Sequence, residues 1–568
     1  MTELRYPAIT LATLPAGMAR LYANRAAVID GERVLTFDDL DVRTAAVAAG
    51  LAAIGVVQRD VVALHLTNSA NFVLAYYGAL RAGATVTLIN PAQPVAGLRA
   101  QLVETDAVAV VTEEPQSQTL ASAIEGLDLR AAILVGDDAG TDTATAPAGL
   151  ITLAELTADA GPAPRVGITG ADVAHLAFTG GTTGVSKGVQ VSHRNVIANV
   201  TQMIAWRAGH AVTENDDGSF RLTPRDGAGR GVVPGQAATI VVSPLYHAHA
   251  LINMSFLLMC GATHVLAGRF DPARMLDLIE GHRATYITGS PTMWHALAAH
   301  PDVATRDLSS VRVVSSGAAP IDHVTLERLA AAFPSGAVVE GYGLTEATCL
   351  VSSAPLAATG NGTGNGTGNG TGEYRFGSVG LPTFDTEVSI RSLDDRTTEL
   401  AAGERGGLWV RGPQVTAGYL HHPEITAEQY VDGWLDTGDI AYVDDDGHLY
   451  ICDRAKDMLI YKGYNVYPRE LEEILVTHPD IAGAAVVARE AGPVGQEPVA
   501  FVVARPGHRV DADAVQGFVA EQVLPYKKIR EVIIVDELPT SAAGKIQKVA
   551  LRAQLAAAEN PGKDRLHA

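Results

Sequence analysis

From about residue 36 to residue 330, short apolar runs alternate with stretches of helical periodicity, the pattern of parallel sheets covered by helices. Thr36-Phe-Asp-Asp39 reads as a capping box, with Leu40, Val47, Leu51 and Ile54 following at roughly helical spacing. Residues 60–65 have a buried-strand pattern, and residues 71–80 again look helical. A chain of 568 residues exceeds one compact core, so two or more domains are expected. The texture changes after Gly433, where acidic turns lead into Tyr450-Ile-Cys-Asp-Arg-Ala-Lys-Asp457. The remaining 110 or so residues hold their own strands, at 484–488, 499–503 and 532–535, enough for a small α+β domain. The boundaries expected are a first domain over 1–453, a junction at 454–457 and a second domain over 458–568. The fold class is α/β.

A formal net charge of −21 leaves no basic surplus to neutralise phosphates and excludes a nucleic-acid binder. Three cysteines, Cys260, Cys349 and Cys452, have neither disulfide nor metal-ligand spacing and read as ordinary thiols in a reducing, cytoplasmic setting. No signal-peptide pattern opens the chain, and the apolar run at 251–260 is far short of a membrane span. Residues 213–236, polar and without periodicity, read as a surface insertion in loop form. The Asn-Gly-Thr-Gly repeat at 360–372 can bury almost nothing and is expected to be a flexible loop.

Phe178-Thr-Gly-Gly-Thr-Thr-Gly-Val-Ser-Lys-Gly188 is the most informative stretch. Its glycines let the backbone approach an anion closely. Thr179, Thr182, Thr183 and Ser186 add hydroxyl donors, and Lys187 adds a positive charge, a combination suited to polyphosphate. It is not a Walker A loop, because Ser186 stands where that motif needs its second glycine. Alone, such a segment is more often only a turn. Further along come Ser316-Gly-Ala-Ala-Pro320, Gly341-Tyr-Gly-Leu-Thr-Glu346, Thr437-Gly-Asp439, Asp453-Arg454 and Gly544-Lys-Ile546.

This ordered set resembles the ANL superfamily of adenylate-forming enzymes: acyl-CoA synthetases, nonribosomal adenylation domains and luciferases. The resemblance runs from about Leu35 to Lys548 and implies a large N-terminal domain of sheets flanked by helices, with a small mobile C-terminal domain. It implies that Thr179, Gly180, Gly181, Thr182, Thr183, Gly184 and Lys187 cradle the phosphates of ATP. Tyr342 and Gly343, with Gly317, Ala318 and Ala319, would line the adenine, Asp439 would accept the ribose hydroxyls, and Arg454 would assist. The implied catalytic set is Lys545, Thr345, Glu346 and His247. Thr345 would bind the α-phosphate and Glu346 would hold Mg²⁺, a hard cation that prefers carboxylate and phosphate oxygens. Lys545 would bridge carboxylate and phosphate as negative charge spreads between them. The family signature usually carries a basic residue just after the proline; here Pro539-Thr540 lacks it. Lys456 is the implied hinge, and Lys462, Gly463 and Tyr464 the loop that admits coenzyme A. No protein nucleophile is needed, since the thiolate displaces AMP from a mixed anhydride.

The implied acyl pocket is His247, Ala248, His249, Gly317, Gly341 and Gly343. Amino-acid-activating relatives carry an aspartate where Ala248 stands, and an uncharged residue cannot anchor an ammonium group. The glycine-rich loop resembles fatty acyl-CoA ligases, whereas Ser-Gly-Ala-Ala-Pro resembles 4-coumarate–CoA ligases. The reading leans to a medium- or long-chain fatty acid, with an aryl or arylalkenoic acid as its rival. His249 stays open between pocket wall, gate and packed core histidine. The acceptor expected is coenzyme A, the alternative being a separate acyl or peptidyl carrier protein. A luciferase-type monooxygenase and a non-catalytic nucleotide binder are remoter readings. Oligomeric state is left open.

Overall fold

The computed structural model describes residues 4–136, 150–158, 161–179, 187–216, 218–225, 229–317, 321–356, 375, 377–541 and 545–559. Its largest sheet has seven strands in the order Leu150–Thr152, Ala131–Val135, Ala107–Glu113, Val61–His65, Thr85–Leu88, Val173–Thr179, Lys187–Ser192. All neighbours are parallel except the last pair, which is antiparallel and sets Thr179 opposite Lys187. The capping box forms: Thr36 accepts from Asp39 N, and Asp39 accepts from Thr36 N at 2.9 Å, starting the helix Phe37–Ala53. Helix Ala70–Arg81 is buried on every side from Ala70 to Leu80, the mark of an interior helix. Its two tyrosines satisfy their hydroxyls there, Tyr76 with His175 Nδ1 at 3.1 Å and Tyr77 with Ser255 Oγ at 3.0 Å.

A second sheet orders Tyr286–Gly289, Val313–Ser316, Ala337–Gly343, Leu350–Ser353 and Leu381–Pro382. Its first three strands are parallel, and the chain then turns back antiparallel, pairing Gly341 with Ser353. A third sheet brings Trp434–Val443 beside Leu449–Arg454, with Asp439 opposite Arg454. The chain after residue 457 closes its own core around Leu459, Leu471, Leu475, Val486 and Val502, beneath the strands Ile481–Glu490, Gln496–Ala504 and Glu531–Val535. The molecule is therefore a large sheet-rich N-terminal domain followed by a smaller C-terminal one. Among the described residues, no helix is long and apolar enough to cross a membrane.

The loop expected over 213–236 is corrected in part. Strands His210–Glu214 and Phe220–Pro224 pair as an antiparallel hairpin, with Val212 and Phe220 buried. Alternation over five residues is too short to stand out among the charged residues around it, and packing decides the matter. The repeat at 360–372 lies outside the described residues.

Four histidines, His65, His175, His193 and His264, are at most 2% exposed. Burial, the largest cause in each case, lowers them to about 4, 3, 4 and 4 respectively. His193 Nδ1 accepts from Leu11 N, a bond that requires the ring nitrogen to be unprotonated. Their folded values lie below the unfolded value of about 6.5, so the unfolded chain binds more protons as pH falls through that range. Stability is therefore expected to fall steadily from pH 6.5 towards pH 4, by up to about 5 kcal/mol per pH unit if all four respond. Urea midpoints measured between pH 7 and pH 4.5 check this, and a flat profile would contradict it.

Candidate active site

The cleft opens at the carboxyl ends of the parallel strands of the second sheet, where open α/β sheets place ligands. Strand Ala337–Gly343 delivers Tyr342 to its rim, and the turn that follows carries Thr345 and Glu346. That turn ends in a buried γ-turn: Thr348 adopts φ 65° and ψ −57°, and Cys349 N donates to Ala347 O at 2.6 Å. Thr348 Oγ1 donates to Gln414 O at 2.6 Å and holds the strained residue in place. Gly343 has no room for a side chain, since a Cβ there would lie 1.5 Å from Cys349 O.

Tyr342 Oη donates to Asp439 Oδ2 at 2.5 Å, and Arg454 Nε pairs with Asp439 Oδ1 at 3.1 Å. Burial, then the neighbouring carboxylate, drives the Tyr342 phenol well above its usual range. The Asp439 charge conversely raises Arg454. Asp439 thus joins the aromatic rim of the cleft to the start of the C-terminal domain.

Glu346 is oriented by a residue that no motif announced. Tyr419 Oη donates to Glu346 Oε1 at 2.8 Å, and Lys187 Nζ lies 5.6 Å from the centre of the Tyr419 ring. Thr416 adds two bonds to the Glu346 carbonyl, both at 2.9 Å. Tyr419 therefore links the cation at the base of the glycine-rich loop to the acidic residue after the sheet. The only sequence signal was Gly418 before it, whose φ of 131° leaves a Cβ 2.2 Å from Thr426. Gly180, Gly181, Thr182, Thr183, Gly184, Ala318 and Ala319 lie outside the described residues.

Lys545 sits in a loop closed by Lys545 N to Ser541 Oγ at 3.2 Å and by a bridge between Thr540 and Ile546. Its ammonium is within electrostatic reach of Arg454, Asp439 and Glu346, and it acts on His247 and His249. Burial first, then Arg454, lowers it from the usual lysine range. His247 precedes the helix Ala248–Met259, and His249 lies in its first turn. Burial and then Lys545 bring both imidazoles down to about 4, so both are neutral at physiological pH. His249 Nε2 is hydrogen-bonded to Thr288 Oγ1 at 2.9 Å, and a Cβ on Gly317 would meet it at 3.1 Å. His249, Gly317 and Gly341 thereby form one wall, and Ala248 is buried beside it.

The residues expected to admit coenzyme A lie elsewhere. Lys462 and Gly463, with φ of 50° and 80°, turn the hairpin between Leu459–Tyr461 and Tyr464–Val466. Tyr464 is 57% exposed and stacks on Tyr526 at 4.7 Å, within the C-terminal domain. Lys456 is exposed but senses Arg454, Asp439 and Lys187.

The fold is that of an adenylate-forming enzyme. The sequence profile of the AMP-binding enzyme family matches residues 17–420, and that of the AMP-binding enzyme C-terminal domain matches residues 470–545. A 4-coumarate–CoA ligase of Narcissus pseudonarcissus is 33% identical over 543 residues, covering 94% of this chain and 92% of the relative. Another from Oryza sativa subsp. japonica is 35% identical over 551 residues, covering 94% and 90%. The ATP-bound structure of MatB from Rhodopseudomonas palustris superposes with a TM-score of 0.81 at 26% identity, covering 96% of this chain and 98% of that one. The chain belongs to the AMP-binding enzyme family and is an ATP-dependent acid–CoA ligase.

Proposed function

We propose that the enzyme activates an aryl or arylalkenoic acid as its acyl-adenylate and transfers the acyl group to coenzyme A. In the first half-reaction a carboxylate oxygen attacks the α-phosphorus of ATP, the bond to the bridging oxygen breaks, and pyrophosphate leaves. The observation that carries this reading is the convergence of Lys545, Glu346, Asp439 and the neutral pair His247 and His249 on one cleft. An ammonium there can neutralise two approaching anions, and neutral imidazoles add no competing charge. Thr345 would bind the α-phosphate, with Lys187 and Thr179 at the base of the loop that would hold the outer phosphates. Tyr342 and Gly343 would face the adenine, and Asp439, clamped by Tyr342 and Arg454, would take the ribose. Glu346 Oε1 takes its bond from Tyr419, and the carboxylate keeps further acceptor capacity. One carboxylate together with substrate phosphates is a donor set that fits Mg²⁺, which would neutralise phosphate charge when bound.

The second half-reaction follows rotation about Lys456, within the junction 454–457. The domain from 458 onward would withdraw Lys545 and bring in Lys462, Gly463 and Tyr464 beside the acyl group. The coenzyme A sulfur then attacks the acyl carbon, its proton passing to solvent, and AMP leaves. Cys260 and Cys349 are buried, and burial raises Cys349 to about 12, which leaves neither poised as a nucleophile.

The sequence leaned to a fatty acid. The two plant relatives, named for 4-coumarate, favour its rival. Pyrophosphate release across octanoate, palmitate, benzoate and cinnamate, with and without coenzyme A, tests the reading. Release with cinnamate or benzoate that accelerates with coenzyme A is expected. Activity confined to the alkyl acids would restore the fatty-acid reading, and release that ignores coenzyme A would favour a carrier protein.

A further inference from the structure

Glu346 is held from one short segment, residues 416–430. Thr416 N and Oγ1 both donate to the Glu346 carbonyl oxygen. Having spent its hydrogen there, the Thr416 hydroxyl accepts from Tyr430 Oη at 2.8 Å. Tyr419 Oη takes the side chain, donating to Glu346 Oε1 at 2.8 Å, and the Gln429 amide meets the same hydroxyl at 2.8 Å. One phenolic hydrogen cannot serve two acceptors. With the carboxylate taking it, the amide is turned to present its nitrogen, and donation runs from Gln429 to Tyr419 to Glu346. Both donors are neutral, so Glu346 keeps its whole negative charge while its side chain is held in one orientation.

The ring of Tyr419 serves a charge of the opposite sign. Leu420 N donates to Gly188 O at 2.8 Å and Gln190 N to Gly418 O at 3.0 Å, which registers Tyr419 opposite Val189 on the strand that Lys187 begins. Tyr419 is 5% exposed and packs edge-on against Tyr430, with ring centres 6.1 Å apart. Lys187 Nζ, at 5.6 Å from the Tyr419 ring centre, lies within the reach of about 6 Å over which an aromatic face attracts an ammonium. One rigid side chain thus sets the spacing between an anion and a cation. Lysine and glutamate side chains carry large rotamer entropy, so a shared rigid strut reduces what remains to be ordered when a ligand binds.

We propose that Tyr419 is the positioning residue of the polyphosphate site: its hydroxyl holds the carboxylate that would take Mg²⁺, and its ring holds the ammonium that would meet the outer phosphates. This rests on the reading above of Glu346 and Lys187. The two roles are separable by chemistry, because phenylalanine deletes only the hydroxyl and leucine deletes the aromatic face as well.

The test is direct binding, without acid or coenzyme A. Mn²⁺ is titrated into enzyme saturated with ATP, the ternary complex being read by water-proton relaxation, and ATP binding in EDTA is measured by calorimetry. Tyr419→Phe should raise the Mn²⁺ midpoint by ~10-fold, the lower end for losing the partner behind a metal ligand, and leave ATP affinity in EDTA unchanged. Tyr419→Leu should show the same metal loss and bind ATP in EDTA ~2- to 5-fold more weakly, the scale of one cation–π contact. Gln429→Leu, which leaves the bond to Glu346 in place, should move the Mn²⁺ midpoint less than Tyr419→Phe does. Should Tyr419→Leu fail to fold, Tyr419→Phe and Gln429→Leu still decide.

An Mn²⁺ midpoint unchanged or lowered in Tyr419→Phe, while Glu346→Gln raises it, would overturn the proposal and leave Glu346 as the residue that holds the metal. Equal loss of ATP affinity with and without metal in Tyr419→Phe, the signature of a purely structural clamp, would overturn it too. Tyr419→Leu matching Tyr419→Phe in EDTA would overturn the part that concerns Lys187. An unchanged midpoint in Glu346→Gln would overturn the reading of Glu346 and the proposal with it.

Discussion

Lys545→Ala is expected to lower the rate of acyl-adenylate formation by ~10²- to 10³-fold, with little change in thermal midpoint. The ammonium stands among Arg454, Asp439, Glu346 and the two histidines, and nothing else in that group combines mobility with an uncommitted positive charge. Arg454 is already paired with Asp439, so it cannot move to bridge a carboxylate and a phosphate without releasing it. The loop that carries Lys545 is closed through Ser541 and through the bridge from Thr540 to Ile546, mostly by backbone groups, so truncating the side chain leaves its closure intact. Second-half turnover of chemically supplied acyl-adenylate should survive in this variant. Equal loss in both half-reactions would mean that Lys545 holds the domain arrangement rather than the transition state.

Lys456→Pro is expected to have the opposite signature. Adenylation should be largely retained, while thioester formation falls by ~10²-fold, the cost of reacting groups that cannot reach their geometry. The backbone on either side is tied down in the structure: Ala455 N donates to Gly438 O at 3.0 Å, and Asp457 N to Arg454 O at 3.0 Å. Arg552 pairs with Asp457 and fastens the C-terminal helix Lys548–Glu559 to the same junction. Proline fixes φ at 456 and restricts residue 455, removing the backbone freedom that rotation needs. Single-turnover assays of each half-reaction check the split, and a variant slowed equally in both would place the hinge elsewhere.

Several of the residues gathered around Asp439 and Glu346 were legible because they sit in short contiguous motifs. Tyr342, Thr345 and Glu346 share six residues, and Asp439 and Arg454 are brought opposite each other by one pair of strands. Strand and helix existence was equally legible, though ends were not. The strand expected at 484–488 runs over Ile481–Glu490, because cross-strand pairs such as Arg489 with Glu497 extend it past its apolar centre. Tyr419 was not legible. It acts through a partner 73 residues away, and a lone tyrosine has no local pattern to betray such a contact. Thr348 was hidden for a different reason: a β-branched residue at positive φ contradicts local preference, and only the surrounding packing enforces it. For His249 the structure adds contacts that no pattern announced, a bond to Thr288 and a close approach to Gly317.

The most direct measurement is exchange of labelled pyrophosphate into ATP, run with Mg²⁺ and an aryl acid and without coenzyme A. Exchange that requires the acid, proceeds without coenzyme A and disappears in Lys545→Ala is the predicted result. ATP binding without exchange for any acid tested, or exchange that persists in Lys545→Ala, would contradict adenylation by this cleft.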